Sequence, residues 1–529
     1  MPYDEYEAEA AVYNGVLLGP STTLGQIASE ASGREAVDLT GTGNYVTFTT
    51  LHPCNSIVVR YSIPDAPGGG GINATLSVFV NGAFNQELPL TSRYSWDYKN
   101  WSYPYDKNPA DGSPFHFFDE AHALLGMEVP AGSTVTLQKQ ASDTASWYVV
   151  DLIDLEEVAA PAAMPSGYTP ITNYGAVGDG STDNSAAIQA CVNANSQVWI
   201  PQGNFACLSA AINVPAGVTV QGAGMWHSVL SGYYATLNLG GGNDRFLNFA
   251  LSGDTVNRVD SNPDNGFNNL AGTGSLLQNI WIEHEKCGYW VGNSSNPVTN
   301  GLLITGCRIR DTYADGVNFC NGTSDSTVTQ SQFRNTGDDS LASWSPSGGP
   351  VNSGNLFSFN TVQNTWRADC FALYGGSSNA IEDNLCSDTL DQSGILVEQG
   401  FTSNPFSGTS SILRNTLTRA GGLFNGAEYG ALQFWGNQAA LAGAFTIDSL
   451  LIVNPTYQGV VFNGSYASGG ETFTNTQING AGTWAMMVAS TTRGTATFSS
   501  TVVTAPGTGG MDNLSSNFTV VKGSGDSGW

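Results

Sequence analysis

Charged residues are scarce in this sequence, and basic residues are the scarcest. Charged side chains make up 12% of the 529 residues, and 17 Lys and Arg face 44 Asp and Glu, a formal net charge of -27. Proteins that bind nucleic acid present a basic surface to the phosphates, so no nucleic acid partner is expected. A polyanionic substrate is disfavoured more weakly, because a local basic groove is compatible with any net charge. A neutral substrate fits the charge directly.

Long apolar runs and closely paired cysteines are also lacking. No run of 18 apolar residues occurs, so neither a transmembrane helix nor a membrane partner is expected. The first ten residues, MPYDEYEAEA, lack the basic and apolar regions of a signal peptide, and we expect a piece of a longer secreted protein. The eight cysteines form no Cys-x-x-Cys pair, which argues against a zinc or redox motif. We expect most of them to be buried thiols.

Glycine is abundant, with 64 residues, and Asn, Ser and Thr are frequent, which is typical of an all-β fold with many turns. Residues 1–156 contain short alternating segments between Gly and Pro clusters, as in an antiparallel β-sandwich. The clearest of these segments are 45–49, 56–61, 74–80, 135–137 and 147–153. Residues 157–167 are rich in Ala and Pro and have no period, which indicates a linker. Residues 168–529 form a second domain.

The second domain begins with a helical pattern and continues with a repeat. Helical spacing predicts a helix over 183–193, with Asp183 as its N-cap. Four similar segments then align so that positions 315, 339, 369 and 393 are equivalent, in steps of 24, 30 and 24 residues. The longer step contains a loop insertion at 345–350. This period predicts a right-handed parallel β-helix, and we expect the helix to cap its open end.

The repeat predicts a cluster of carboxylates. Equivalent positions on successive coils lie about 4.8 Å apart, so Asp315 and Asp339 stack, with Asp338 beside them. Like charges this close resist ionising together, so at least one pKa is raised. A protonated carboxyl beside ionised ones is what glycoside hydrolysis needs. The alternatives are turn residues or calcium ligands. Asp369 is in the same register and is expected to line the site.

Aromatic residues are frequent in the same coils. Aromatic faces pack on the C–H faces of sugar rings, although core packing is an equally good explanation for each ring taken singly. Trp344 and Trp366 lie next to the loop insertion and are the preferred substrate-binding candidates, together with Trp290 and Tyr374.

Two segments of the second domain carry a family resemblance. Residues 173–184 (NYGAVGDGSTDN), followed by 200–205 (IPQGNF), resemble the N-terminal signature of pectate-lyase-like β-helix enzymes. The pattern of Asp315 and then Asp338-Asp339 resembles the catalytic trio of polysaccharide hydrolases on that fold. The Gly-His-Gly and Arg-Ile-Lys motifs of polygalacturonases are lacking, which disfavours a uronate substrate. The whole organisation is most similar to bacterial α-1,3-glucanase catalytic units of glycoside hydrolase family 87.

The resemblance implies a mechanism. Asp338 is then the general acid, Asp315 and Asp339 jointly activate water, and an α-1,3-glucan is cleaved internally with inversion. No metal or organic cofactor is implied for this chemistry. The chain is expected to be a monomeric, secreted bacterial hydrolase of a neutral α-glucan. Alternatives are hydrolysis of dextran, pullulan or polygalacturonate, a lyase or epimerase, and a non-catalytic polysaccharide-binding β-helix.

The N-terminal segment has a resemblance of its own. Residues 6–9 and 150–155 resemble the first and last strands of carbohydrate-binding modules of families 6 and 35, in which acidic residues hold a structural calcium ion. Glu7, Glu9 and Asp151 are the corresponding candidates here, since calcium prefers oxygen ligands. The alternative is a solvated acidic edge strand.

Overall fold

The computed structural model describes residues 1–292 and 295–529. The chain divides into two compact units, one comprising Met1–Ala160 and Val256–Asp260, the other Pro161–Thr255 and Ser261–Trp529. Both units are built almost entirely of strands, as the sequence predicts. Residues 157–165 carry neither helix nor strand in the described structure.

The first unit is a sandwich of two sheets in which every strand pairing is antiparallel. In one sheet the strand order is Val16–Leu18, Ala36–Leu39, Tyr148–Glu156, Cys54–Ser62 and Asp119–Val129, with Asp4–Glu7 also paired to Tyr148–Glu156. In the other the order is Val12–Tyr13, Tyr45–Thr49, Thr134–Gln138, Asn73–Val80 and Ala83–Thr91. Three short 3-10 helices connect them: Ile27–Glu30, Ser32–Arg34 and Pro109–Asp111.

The core of the sandwich follows from the alternation in its strands. Val46 and Phe48 point inward from Tyr45–Thr49, and Val135 and Leu137 do so from Thr134–Gln138. Successive side chains of a strand lie on opposite faces, so each alternating segment contributes one apolar row to the core. The predicted strands are all found, several of them one to three residues longer than the alternation shows.

The second unit is a solenoid in which three strands per coil form three parallel ladders. Ladder 1 consists of Thr169–Pro170, Gln197–Ile200, Thr219–Gly222, Arg245–Ser252, Leu276–Glu283, Leu303–Thr305, Thr327–Thr329, Leu356–Ser358, Ala380–Glu382, Thr409–Leu413, Ala444–Asp448, Ala467–Thr474, Arg493–Ser499 and Phe518–Lys522. Ladder 2 begins with Gly203–Ala206 and Ser228–Ser231, shares the ends of Arg245–Ser252 and Leu276–Glu283, and continues with Arg308–Arg310, Gln332–Arg334, Thr361–Gln363, Leu385–Ser387, Thr416–Thr418, Leu451–Val453, Gln477–Asn479 and Val502–Thr504.

The strands of ladder 3 include those that follow the aligned positions 315, 339, 369 and 393. Its strands are Ile212–Asn213, Leu237–Asn238, Asn265–Asn268, Cys287–Val291, Val317–Phe319, Leu341–Trp344, Phe371–Tyr374, Ile395–Glu398, Leu432–Gly436, Val460–Gly464, Trp484–Val488 and Gly509–Asn513. A short antiparallel hairpin, Leu423–Phe424 with Ala427–Glu428, is inserted before Leu432–Gly436.

The corners explain the abundance of Asn and Gly. The residue after a ladder 2 strand has a positive φ in successive coils, as at Asp311, Asn335 and Asn364. Asn and Asp tolerate this left-handed conformation better than other non-glycine residues. The interior is an apolar column, since the middle residue of each three-residue strand points inward, as Phe333 and Val362 do in adjacent coils.

Within residues 1–292 and 295–529, one α-helix is present and spans Ser185–Ala194, so the predicted start at 183 is two residues early. Asn184 occupies the N-cap position, and Asp183 accepts hydrogen bonds from the backbone N–H and the hydroxyl of Ser185. Ile188, Cys191 and Val192 are buried and join the apolar column at its first coil. A 3-10 helix, Ile171–Tyr174, precedes it.

The cysteines are mostly buried thiols, as expected. Cys370 and Cys386 form a disulfide inside the solenoid, and the other six are buried and form no disulfide: Cys54, Cys191, Cys207, Cys287, Cys307 and Cys320. Among the described residues, the helices are too short and too polar to cross a bilayer.

Candidate active site

The repeat register is confirmed by strand pairing. In ladder 3, Val317 pairs with Leu341, Leu341 with Phe371, and Phe371 with Ile395. Asp315, Asp339 and Asp369 each lie two residues before such a strand, at the same corner of successive coils. Backbone bonds join these corners, since Gly316 N–H donates to the Asp339 carbonyl at 3.0 Å.

Asp315 and Asp338 differ in their exposure. Asp315 is 6% exposed, and its Oδ1 accepts a hydrogen bond from Asn318 Nδ2 at 2.9 Å. The Asp338 side chain is 23% exposed, and Arg367 Nη1 lies 3.5 Å from its Oδ2. Asp338 is therefore the carboxyl of the trio that solvent reaches most easily.

The backbone before Asp338 requires glycine. A Cβ on Gly337 would lie 2.2 Å from Cζ2 of Trp366 and 2.7 Å from the carbonyl carbon of Tyr313. This close approach holds the corner that bears Asp338 and Asp339 directly against the Trp366 ring.

Asp339 is a buried carboxyl with partners from the next coil. It is 3% exposed, Tyr374 Oη donates to its Oδ2 at 2.8 Å, and the backbone N–H of Asp369 donates to its Oδ1 at 3.2 Å. Burial raises the pKa of Asp339 well above its usual range, and the charges of Asp369, Asp338 and Asp315 raise it further. The crowding predicted from the repeat is present.

Two further acids near the site escaped the sequence analysis. Asp391 is buried, accepts a hydrogen bond from Ala368 N–H at 2.8 Å, and has its pKa raised to about 7 by burial. Glu398 is also buried, accepts a hydrogen bond from Asn437 Nδ2 at 2.7 Å, and has its pKa raised by burial to about 7. The sequence repeat could have indicated Asp391, because the alignment makes its position equivalent to that of Arg367 in the preceding coil.

The outward face of ladder 3 carries a cluster of apolar and aromatic side chains. Ala342, Ala372 and Leu396 pair in adjacent coils, are buried, and cluster with Trp344, Tyr374 and Trp435. The rings of Trp290 and Trp344 lie 6.1 Å apart, and Trp344 Nε1 donates to the Phe401 carbonyl at 3.1 Å. Both tryptophans are partly exposed, as sugar stacking requires.

Three of the predicted substrate contacts are buried. Trp366 is 1% exposed and meets Tyr313 edge-on at 6.3 Å, so it packs behind the carboxylate corner and has no open face for a sugar. Asp369 is 0% exposed, and its Oδ1 accepts from Ser393 N–H at 2.6 Å. Tyr374 is 7% exposed and uses its hydroxyl for Asp339.

The predicted calcium ligands lie close together in the first unit, and one of them, Asp151, is paired with an arginine. Ser32 Oγ donates to Glu7 Oε1 at 2.6 Å and Ser32 N–H to Asp151 Oδ1 at 2.9 Å, and Glu9 acts electrostatically on Asp151. Asp151 Oδ2 is paired with the buried guanidinium of Arg60. Each oxygen of Asp151 thus has one partner within the protein. The ion stays a prediction, with Glu7, Glu9 and Asp151 as its acidic ligands.

A parallel β-helix that carries clustered carboxyls and partly exposed aromatic rings has the architecture of a carbohydrate-active enzyme. Residues 1–158 match the family described as alpha-1,3-glucanase catalytic domain D1, and residues 179–526 match alpha-1,3-glucanase catalytic domain D2. The chain therefore belongs to the alpha-1,3-glucanase catalytic-domain family and is a glycoside hydrolase.

Solved structures of similar proteins cover the whole chain. The catalytic unit of the thermostable family 87 alpha-1,3-glucanase from Streptomyces thermodiastaticus strain HF3-3 is 32% identical, with a TM-score of 0.90 over 100% of this chain and 97% of that one. A family 87 alpha-1,3-glucanase catalytic domain in complex with nigerose is 28% identical, with a TM-score of 0.88 over 100% and 99%. An aspartate-to-alanine variant in complex with tetrasaccharides has 28% identity, a TM-score of 0.90 and the same coverage.

Among curated proteins, the pre-neck appendage protein of Bacillus phage B103 is 30% identical over 121 residues. The match spans 22% of this chain and 14% of the phage protein.

Proposed function

We propose that this glycoside hydrolase cleaves neutral α-1,3-linked glucan internally with inversion, using Asp338 as general acid and Asp315 with Asp339 to activate water. The observation that carries the proposal is the meeting of these three carboxyls at one corner of adjacent coils, with Asp338 the most exposed of the three. The solved relatives add support. They include alanine variants of two adjacent aspartates and of one that precedes them by 23 residues, which is the spacing of Asp315, Asp338 and Asp339.

Water is the only co-reactant that the proposed hydrolysis requires. Asp338 gives its proton to the glycosidic oxygen as the bond from that oxygen to the anomeric carbon breaks. A water molecule held by Asp315 and Asp339 attacks that carbon from the opposite face and passes one proton to the carboxylate pair. The new hydroxyl has the inverted configuration, and proton exchange with solvent returns the trio to its starting state.

Two partly exposed tryptophan rings and the net charge support a neutral glucan. Trp290 and Trp344 present partly exposed rings to a saccharide, and the net charge of -27 repels a polyuronate. Relatives are described in complex with nigerose, an α-1,3-linked disaccharide of glucose, and with tetrasaccharides. A polymeric substrate of this kind lies outside the cell, so we also propose a secreted bacterial enzyme that acts as a monomer.

The proposal is tested by reducing-sugar release from α-1,3-glucan, dextran, pullulan and polygalacturonate. We expect release from α-1,3-glucan alone, with the first product in the β-anomeric form by NMR. Asp338→Asn should abolish release while the protein still binds the polymer in a pull-down. Asp325→Asn is the matched control, because Asp325 is exposed on another corner of the same coil as Asp315.

Other results lead to other functions. Release from a different polymer would keep the carboxylate mechanism and replace the substrate, whereas an α-anomeric first product would exclude inversion. Binding without release from any polymer, in both wild type and Asp338→Asn, would indicate a polysaccharide-binding β-helix.

A further inference from the structure

Asp315 has a side-chain partner on the strand that follows it. Asn318 Nδ2 donates a hydrogen bond to Asp315 Oδ1 at 2.9 Å, and Asn318 is 6% exposed. Val317 and Phe319, on either side of Asn318, belong to the apolar column. Because successive side chains of a strand lie on opposite faces, Asn318 lies on the outward face of the strand. The bond therefore ties this outward face to the corner that bears the carboxyl.

The orientation of the Asn318 amide is set from both of its sides. Only the nitrogen of an amide can donate to a carboxylate, and only its oxygen can accept. Cys320 Sγ lies 3.2 Å from Asn318 Oδ1. Because a thiol is a donor to oxygen, this contact keeps the amide oxygen at the sulfur and the amide nitrogen at Asp315. The three side chains thus form a chain of donors that runs from Cys320 through Asn318 to Asp315.

The first donor of this chain is held in place and keeps its proton. Cys320 is 1% exposed, its backbone N–H donates to the Val291 carbonyl at 3.1 Å, and its carbonyl accepts from the Thr323 hydroxyl at 2.7 Å. Burial raises the pKa of the Cys320 thiol well above its usual range, and the charge of Asp315 raises it further. The sulfur therefore stays an S–H group that can donate to Asn318.

We propose that Asn318 is a positioning residue that holds the Asp315 carboxylate in place to activate water, and that the Cys320 thiol fixes the Asn318 amide for this task. The inference rests on the proposed function, which makes Asp315 one of the two water-activating carboxylates. A hydrogen-bond donor favours the ionised form of a carboxylate and restricts its rotation. A base that takes a proton from a bound water molecule needs both properties.

Asn318→Leu tests the bond to Asp315, because Leu has a similar size and no donor. We expect kcat to fall about 10- to 100-fold at unchanged KM, since the bond acts on the water-activating base. Asn517→Leu is the matched control and should leave kcat and KM unchanged, because Asn517 is exposed in the last coil.

Two substitutions at Cys320 test the second contact and keep the proposal testable if Asn318→Leu fails to fold. Cys320→Ser retains a donor and should keep kcat within about twofold of wild type, whereas Cys320→Ala removes the donor and should lower kcat about three- to tenfold. If the thiol only fills space, Ala is tolerated as well as Ser, and that ranking would refute the role of Cys320. The same pair of substitutions at Cys191, a buried thiol of the helix, should show no difference in kcat.

Other kinetic results would also overturn the proposal. A rise in KM with unchanged kcat in Asn318→Leu would make Asn318 a substrate contact, since it pairs with Trp290 and Ala342 on the outward face of ladder 3. Wild-type kinetics in Asn318→Leu, on a polymer that the wild type cleaves, would refute the proposal and leave the proposed function intact. A wild type that cleaves no polymer would refute the proposed function, and the role of Asn318 in water activation with it.

The S–H stretching band of Cys320 tests the hydrogen bond without any turnover. A Raman difference spectrum between wild type and Cys320→Ser isolates this band. We expect Asn318→Leu to move the band to higher frequency, because the substitution removes the acceptor of the thiol proton, and Asn517→Leu to leave it in place. A band that does not move in Asn318→Leu would refute the bond from Cys320 to Asn318, whichever polymer the enzyme cleaves. Thermal melts show whether each variant folds.

Discussion

The hydrogen bond from Tyr374 to Asp339 leads to a quantitative prediction. Tyr374 Oη donates to Asp339 Oδ2 at 2.8 Å inside the protein, where water cannot replace it. A bond to a charged group contributes about 1.5–3 kcal/mol, so Tyr374→Phe should lower kcat/KM about 10- to 150-fold. The loss should fall on kcat, because the hydroxyl contacts the catalytic carboxyl.

The same substitution should change the pH profile in a defined direction. The Tyr374 hydrogen bond lowers the pKa of Asp339, partly offsetting burial and the neighbouring carboxylates. Removing the hydroxyl raises that pKa, and Asp339 must be ionised to accept a proton from water. The acid limb of the kcat/KM profile should therefore move to higher pH.

The assay is reducing-sugar release over a pH series, with separate kcat and KM values on soluble α-1,3-gluco-oligosaccharides. Tyr174→Phe is the matched control, because it removes a tyrosine hydroxyl that accepts a hydrogen bond from Asn195 in the first coil. A rise in KM with unchanged kcat would show that Tyr374 binds substrate, as the sequence predicts. An unmoved acid limb would refute the account of Asp339 as the water-activating base.

Three further predictions concern Trp344, the buried acids Asp391 and Glu398, and the acidic residues of the first unit. Trp344→Ala should raise KM about tenfold with little change in kcat. An unchanged KM on oligosaccharides would show that Trp344 does not bind substrate. Asp391 and Glu398 have their pKa values raised to about 7, against about 4 when unfolded. The folded protein then binds more protons between these values, so the melting temperature should fall from about pH 5 to about pH 8, and a rise would contradict the assigned burial. If Glu7, Glu9 and Asp151 hold calcium, EDTA should lower the melting temperature and added calcium restore it; a melt unaffected by EDTA would leave the ion without support.

Much of the fold could be predicted from the sequence because the solenoid repeats. The alignment of 315, 339, 369 and 393 is the register that the strands adopt, since one-residue slips in a parallel ladder would turn the inward apolar side chains outward. The helix was placed two residues early because Asp183 hydrogen-bonds to Ser185 from a position before the N-cap. Element boundaries depend on such local bonds, which a periodic pattern does not contain.

The surroundings of the site were harder to predict from the sequence. Trp344 and Trp366 lie on either side of the same insertion. The Trp366 ring is buried against Gly337, whereas Trp344 is partly exposed. The Asp151 carboxylate pairs with the guanidinium of Arg60, which lies 91 positions away in the sequence and is buried in the same interior. No spacing rule within either segment reveals that partner.

The sequence by itself determined the two kinds of β-architecture, the coil register and the three carboxylates that meet at one corner, because periodicity and stacking are properties of the chain. The tertiary structure decided which groups are buried and which partner each acquires. It placed Asp339 between Tyr374 and Asp369, and brought Asp391 and Glu398 into the same acidic interior. Protonation depends on burial and on neighbours from other coils, and both exist only once the coils have stacked.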